Sequence, residues 1–430
     1  MRRSSFWTYE NRLLVLLTIS FGFTIWDRVA LTTLAPAILA DLHLNNTALG
    51  IMSGALSVTL AISGYFFGQA ADRTHARKRL LLAGVVLFSL CSSISGLAVS
   101  LMTMVAARLF MGLTEGPILP LSYSIIALES SPHRRSFNHG VLANFATCLI
   151  GGVLGPVVLT HLAEAYSWRV AFFVTGVPGL LMSLLIWRLV REPPVAPAAE
   201  SAAESAAESA IVPAAVPVAA LAGARPKLLD ERRRNIPLCL LLLCGLYTWL
   251  LVTLTYESQY LVHVVGLTLV QAGSVAAVVG FAGLSLAIVI SWLADRVGRK
   301  PTVIVGGLLG LIVPLAFMYA HDSVVLMTAL VFLGWSFIGC SPLFAGTIPS
   351  ESVPPERVAR TLALIIGAAE IVGGVIMPIV SGRLADRYGL DAPMWVVFGA
   401  TALTVVGSCF LVETRPRTAA VAAAPAAAAG

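Results

Sequence analysis

The sequence predicts an all-α integral membrane protein with twelve transmembrane helices in two six-helix, pseudo-symmetric halves. Three observations carry this prediction. The 430-residue chain is 58% hydrophobic and only 12% charged, about half the charged fraction of a soluble domain, and its mean hydropathy is +0.88. Apolar stretches of about 20 residues, each sufficient to cross a ~30 Å hydrocarbon core, recur along its whole length. One long hydrophilic gap divides these stretches six and six.

The apolar runs place spans at 12–39, 47–70, 79–100, 103–128, 138–162, 168–190, 236–262, 270–294, 301–320, 323–347, 360–381 and 393–413. The N-terminal MRRSSFWTYENR is basic and leads straight into the first span, without a short apolar core and a small-residue cleavage site, so it reads as retained. Residues 1–190 form an N-terminal six-helix bundle. Residues 191–235 break the pattern with Pro-rich ends, the run AESAAESAAES and the cluster Arg232-Arg233-Arg234. That composition cannot build a core and reads as a cytoplasmic low-complexity linker. Residues 236–414 form the second bundle, and the Ala-rich residues 415–430 read as a disordered tail.

Lys and Arg crowd into segments on one side. With both termini cytoplasmic, only Arg169, Arg383 and Arg387 fall in outer loops, as the positive-inside rule requires. The net charge of +6 therefore reflects orientation, and no nucleic-acid partner is expected. Short outer loops and the Ala-rich composition point to a bacterial inner membrane, with lipid as surrounding partner and a monomer as the expected unit. The six cysteines lie inside apolar spans without paired spacing, so neither a disulfide framework nor a metal site is implied. There is no soluble domain and no nucleophile motif, which argues against the class of membrane sensor or enzyme.

Charges stand where a lipid-facing helix cannot easily carry them: Asp27 and Arg28 in the first span, Arg108 and Glu115 in the fourth. Each costs roughly 2.5–3.5 kcal/mol at bilayer depth on insertion scales, so such residues face a water-filled cavity or one another. Two cations and two carboxylates suit a site for an anion and a proton. Arg108 and Glu115 are seven apart, share a helix face and stand ~10 Å apart along the axis. Asp27 and Arg28 project about 100° apart, so one can face a cavity while the other reaches a neighbouring helix. The alternative is an internal salt-bridge network that only fixes packing, although desolvation makes such networks poor stabilisers.

Further polar residues mark the spans. Glu370 in span eleven reads as a third proton site, an acceptor for a substrate hydroxyl, or a partner of a loop cation. Tyr256 and Tyr260 near the outer end of span seven read either as an interface belt or as substrate contacts, and Glu257 beside them as exposed at the helix end. Asn144 in span five can donate to substrate or bond a neighbouring helix.

A motif repeats. Gly68-Gln-Ala-Ala-Asp72-Arg73-Thr-His-Ala-Arg77-Lys78 follows span two, and Ser291-Trp-Leu-Ala-Asp295-Arg296-Val-Gly298-Arg299-Lys300 follows span eight. A weaker echo, Gly382-Arg-Leu-Ala-Asp386-Arg387-Tyr-Gly389, follows span eleven. Parallel duplication of this kind belongs to two-half transporters. The motif resembles the loop signature of the major facilitator superfamily, Gly-x3-Asp-Arg-x-Gly-x-(Arg/Lys)-(Arg/Lys). Here His75 replaces a glycine in the first copy, and Ser291 replaces the leading glycine in the second. A narrower resemblance is to its anion:cation symporter branch. It rests on Asp27-Arg28 with Ala30-Leu31 and Ala35-Pro36, on Arg108-x6-Glu115-Gly116-x3-Pro120, and on Trp168-Arg169-x-Ala171-Phe172.

The resemblance implies a secondary active transporter that symports a small organic anion, a carboxylate or sugar acid, with protons by alternating access. In that frame Arg28 and Arg108 hold the substrate anion, with Asn144, Tyr256, Tyr260 and Glu370 as further binding candidates. Asp27 and Glu115 carry the coupling protons. Gly68, Asp72, Arg73, Asp295 and Arg296 form cytoplasmic loops that stabilise one access state. No cofactor is implied beyond the proton gradient. The same fold run in reverse would export a metabolite, siderophore or drug.

Overall fold

The computed structural model describes residues 8–74, 76–131, 134–192 and 234–414. Twelve helices within them are long and apolar enough to cross a membrane. They are α1 (Tyr9–Thr33), α2 (Asn46–Thr74), α3 (Arg77–Ser95), α4 (Leu101–Glu129), α5 (Phe137–Ala165), α6 (Trp168–Leu189), α7 (Asn235–His263), α8 (Leu269–Val297), α9 (Arg299–Tyr319), α10 (Val324–Ser350), α11 (Arg360–Tyr388) and α12 (Asp391–Ser408). The described residues contain no strand. The expected linker and tail fall almost wholly outside the described residues.

Local sequence explains the boundaries. Thr8, Ser100, Ser167, Thr268 and Ser323 open α1, α4, α6, α8 and α10, each accepting a first-turn N–H through its hydroxyl. These amides have no intrahelical partner, and the cap hydroxyls supply one. α1 stops at Thr33, short of the expected 39, because Pro36 starts a separate short helix, Ala35–Asp41. Gly298, at φ +126°, ends α8 in a conformation that side chains resist, and α9 begins at the next residue.

Asp295 and Arg296, expected in a loop, therefore ride the last turn of α8. The backbone of 68–74 is likewise helical. The surroundings of Gly68 and the side chains of Asp72 and Arg73 lie outside what is described. The third echo is also helical, since α11 runs on to Tyr388 and carries Asp386 with it.

An even number of crossings puts both described ends on one face, here called the terminal face. The opposite one is the far face. Within the N-terminal half α2 packs on α4, α3 on α6 and α1 on α5; in the other half α7 packs on α12 and α10 on α8 and α9. Across the seam α2 meets α11, and α5 meets α8.

The core is distributed unevenly between the faces. One cluster joins far-face residues of the first half, including Leu34, Ile38, Met52 and Phe172, to residues of the second, including Trp249, Tyr256 and Phe317. A second cluster, with Leu17, Leu81, Ile125 and Ile186, belongs to the first half alone and lies toward the terminal face. The halves thus share a core on the far face.

The seam is built from small residues. A Cβ added to Gly280 of α8 would lie 2.3 Å from the Gly152 carbonyl carbon of α5. Such backbone approach is how helices pack where lipid is as apolar as any side chain. On the other side of the seam the Asp386 carboxylate accepts N–H groups from Asn46 and Thr47 at 2.8 and 2.9 Å. The Tyr256 hydroxyl donates to the carbonyls of Asn46 and Pro378 at 3.1 and 2.7 Å.

Replacing Gly280 with alanine should therefore cost about 1–3 kcal/mol through overpacking. The same change at Gly399, which has nothing within 4 Å of the new methyl group, should gain about 1 kcal/mol from helix propensity. Thermal unfolding of the two detergent-purified variants checks the opposite signs.

Candidate functional site

Most breaks in helical regularity lie at mid-membrane, where the buried charges are. α4 is interrupted at Gly116-Pro117, immediately after Glu115. α11 widens into π-type turns over Glu370–Ile376, and α10 tightens over Trp335–Cys340. Local departures of this kind are frequent at functional sites.

The four charges form two crossed pairs. Arg28 donates through Nε to Glu115 Oε1 at 2.5 Å, and Arg108 donates through Nη1 to Asp27 Oδ2 at 3.0 Å. The two neighbours on α1 thus reach two residues a double turn apart on α4. Their environments differ sharply. The Arg108 and Asp27 side chains are both 0% exposed. Asp27 also accepts from Ser92 of α3, and from Thr175 of α6 at 3.4 Å. Arg108 lies over the Phe172 ring, 5.2 Å from its centroid. Its Nε and Nη2 have no hydrogen-bond partner among the described residues.

The Arg28–Glu115 pair lies at the edge of open space. Arg28 is 39% exposed and Glu115 1%. The second carboxylate oxygen of Glu115 is buried without a partner among the described residues. The shared face of Arg108 and Glu115 does exist, but Arg108 is sealed inside the first half. Of the two arginines, Arg28 is the one that is open.

Glu370 of the second half lies close enough to act electrostatically on Arg28 and on Tyr247 of α7. The Tyr247 hydroxyl in turn faces Ser341 of α10. The Arg28–Glu115 pair of the first half and Glu370 and Tyr247 of the second thus stand within electrostatic range of one another.

Other expected residues lie elsewhere. Asn144 is exposed, and its amide donates to its own helix at Gly140. Tyr256 is fully buried in the seam, and Tyr260, 1% exposed, donates to Asp391 at 2.8 Å. Glu257 is not exposed at a helix end. It is 3% exposed, with one carboxylate oxygen lacking a partner among the described residues. On the terminal face Asp295 accepts from Arg299 at 3.0 Å, and Arg299 also reaches Glu351 at 3.3 Å. Arg296 stacks on Trp292.

Sequence reasoning passed over Ser92, Thr175, Tyr247 and Ser341. A signal existed for Ser92, because four serines from 89 to 95 punctuate an otherwise apolar span. Nothing in the sequence marks Tyr247.

The family model described as Major Facilitator Superfamily matches residues 16–365 and 238–430. The chain is 34% identical over 168 residues to the hexuronate transporter of Bacillus subtilis, covering 39% of each chain. It is 26% identical over 423 residues to the D-galactonate transporter of Escherichia coli, covering 92% of this chain and 93% of that one. Its fold matches the crystal structure of a D-xylose-proton symporter with a TM-score of 0.73 at 18% identity, covering 96% of this chain and 100% of that one. The chain belongs to the Major Facilitator Superfamily and is a multi-pass membrane transporter, not an enzyme.

Removing one member of the sealed pair should be far more damaging than removing the open arginine. Arg108→Met strands a buried carboxylate, a loss of about 3–5 kcal/mol. Arg28→Met leaves Glu115 able to take up a proton and should cost under half as much. Adding Asp27→Asn to Arg108→Met should recover most of the loss. A double-mutant cycle on unfolding in detergent measures each step.

Proposed function

We propose that this member of the superfamily imports a small organic anion, a carboxylate such as a sugar acid, together with protons. The observation that supports this reading most directly is the Arg28–Glu115 pair, an open guanidinium tied to an otherwise enclosed carboxylate. Arg28 can present its planar fork to one carboxylate in full geometry. Glu115 and a substrate carboxylate therefore compete for it. A proton on Glu115 removes the competitor and makes Arg28 available. Anion and proton then bind together, which is the requirement for symport.

The two relatives that carry hexuronate and D-galactonate in their names support a carboxylate cargo. In this reading Arg28 and Glu370 contact substrate, while Glu115 holds the coupling proton. Arg108 acts from beneath by pairing with Asp27 and fixing α1 against α4. The terminal face is cytoplasmic, in accord with the basic residues on that side, and the membrane is a bacterial inner membrane. The monomer is the working unit, and the two halves rock about the central site to give alternating access.

In proteoliposomes with an imposed pH gradient, Arg28→Ala should reduce uptake of a transported sugar acid at least 100-fold. Unimpaired uptake would sink the assignment. Glu115→Gln mimics the protonated carboxyl and should still exchange labelled for unlabelled substrate, while losing accumulation driven by the gradient. Exchange in this variant should no longer vary with pH, whereas in the native protein it should rise on acidification.

A further inference from the structure

We infer that the central site selects monoanions bearing a hydrogen-bond donor away from their acid group, and that Glu370 enforces the choice. This inference rests on the anion-transport reading above. Glu370 begins the widened segment of α11, and it is intermediate in exposure. A Cβ placed on Gly374, one turn further on, would lie 3.2 Å from Glu370 Oε2 and 3.1 Å from Ser57 Oγ of α2. The carboxylate therefore faces the first half across a glycine, beside a hydroxyl, in the same space as Arg28. No hydrogen bond to it is formed among the described residues.

The charges at the centre decide the selectivity. Asp27 and Arg108 neutralise one another out of reach. Among these described residues, Arg28 is the open cation, with the enclosed Glu115 and the partly exposed Glu370 as the carboxylates near it. A substrate carboxylate takes Arg28 as Glu115 is protonated. Ionised, Glu370 is then an acceptor-only group that calls for a hydroxyl or ammonium donor. A second carboxylate on the substrate would meet Glu370 with no cation left to offset it. Like charges held in one site repel one another. An amide at this position would remove the repulsion and supply a donor.

The test uses matched pairs of acids on the full-length protein in detergent. An aldonate and the aldarate of the same carbon skeleton differ only in a terminal CH2OH against a second carboxylate. Ligand-dependent thermal stabilisation reports affinity by mass action. The native protein should bind the monoanion at least tenfold more tightly than the dianion. Glu370→Gln should narrow the gap to within threefold by gaining affinity for the dianion, and Glu370→Asp should keep the preference. Equal binding of both acids by the native protein, or an unchanged gap in Glu370→Gln, would overturn the inference alone. Binding of neither, across four- and six-carbon pairs, would overturn the anion reading beneath it.

We propose that Asp386 latches the far face shut. The first turn of α2 has four amides to satisfy. Asn45 serves Ala48 through its side chain at 3.0 Å and Leu49 through its carbonyl at 3.4 Å. Asp386, from the opposite half, serves the remaining two and also accepts the Thr47 hydroxyl at 2.5 Å. A carboxylate is favoured at this positive end of a 29-residue helix. When the halves part at this face, both amides lose their partner together. Water replaces it only in part, because the charge itself has gone.

In a cysteine-free background, Met52→Cys reports on the seam, since Met52 is fully buried in the shared core. Adding Asp386→Asn should raise its maleimide labelling roughly fivefold, the effect of about 1 kcal/mol. Leu17→Cys, fully buried in the separate core of the first half, should not respond. Unchanged labelling at position 52, or an equal rise at position 17, would overturn the latch.

Discussion

An unpaired ion is costly at the centre of a bilayer, and the arrangement of α1, α3, α4 and α6 follows from that constraint. Asp27 and Arg28 are adjacent and cannot face the same way. Each finds an opposite charge on α4, at positions 108 and 115. The requirement fixes the rotation of α1 against α4. It also draws in Ser92 and Thr175, whose hydroxyls bond to each other at 2.6 Å and satisfy the carboxylate side of the sealed pair. The Phe172 ring covers the guanidinium, which keeps two unpartnered nitrogens against a π-face rather than against aliphatic carbon.

The junction between halves obeys a different rule. Apolar side chains gain little there, because lipid offers the same environment. Close contact at Gly152 and Gly280 substitutes dispersion for the hydrophobic effect. Tyr256 and Asp386 add directional bonds to backbone groups. The seam's contacts are individually modest, and Asp386 is exposed to water.

The twelve-helix architecture was legible because hydropathy and length leave few alternatives in a membrane. The four mid-membrane charges were legible for the same reason, as exceptions to an apolar run. Their pairing was not. It depends on the rotational phase of α1 relative to α4, and a phase error of one residue would exchange the roles of Asp27 and Arg28. The seven-residue spacing put Arg108 and Glu115 on one face, but spacing does not reveal that Phe172 and Asp27 close over one end of that face. Tyr256, Tyr260 and Glu257 misled for a related reason. Proximity to a helix end suggested an interface or exposure, whereas packed neighbours cover that end, Asn46 at Tyr256 and Asp391 and Phe317 at Tyr260. Asp386 looked like a degraded loop motif because its partners are backbone amides some 340 residues away, and no pattern of side chains announces them.

The two pairs stand in different relations to the seam. Asp27, Arg108, Ser92, Thr175 and Phe172 all belong to the first half. A rigid rotation of one half against the other leaves that cluster intact, so its charge state does not itself register the motion. Arg28 differs, since it touches Glu115 within its own half and acts on Glu370 across the gap. It is the buried-depth cation whose surroundings must change when the halves move. In the proposed cycle any link between ligand charge and conformation therefore runs through Arg28. Asp27 contributes indirectly, by way of the backbone it shares with its neighbour. That division explains why one arginine is sealed and the other left 39% exposed. The sealed pair holds the helix that carries the working residue, and the working residue stays free to exchange partners.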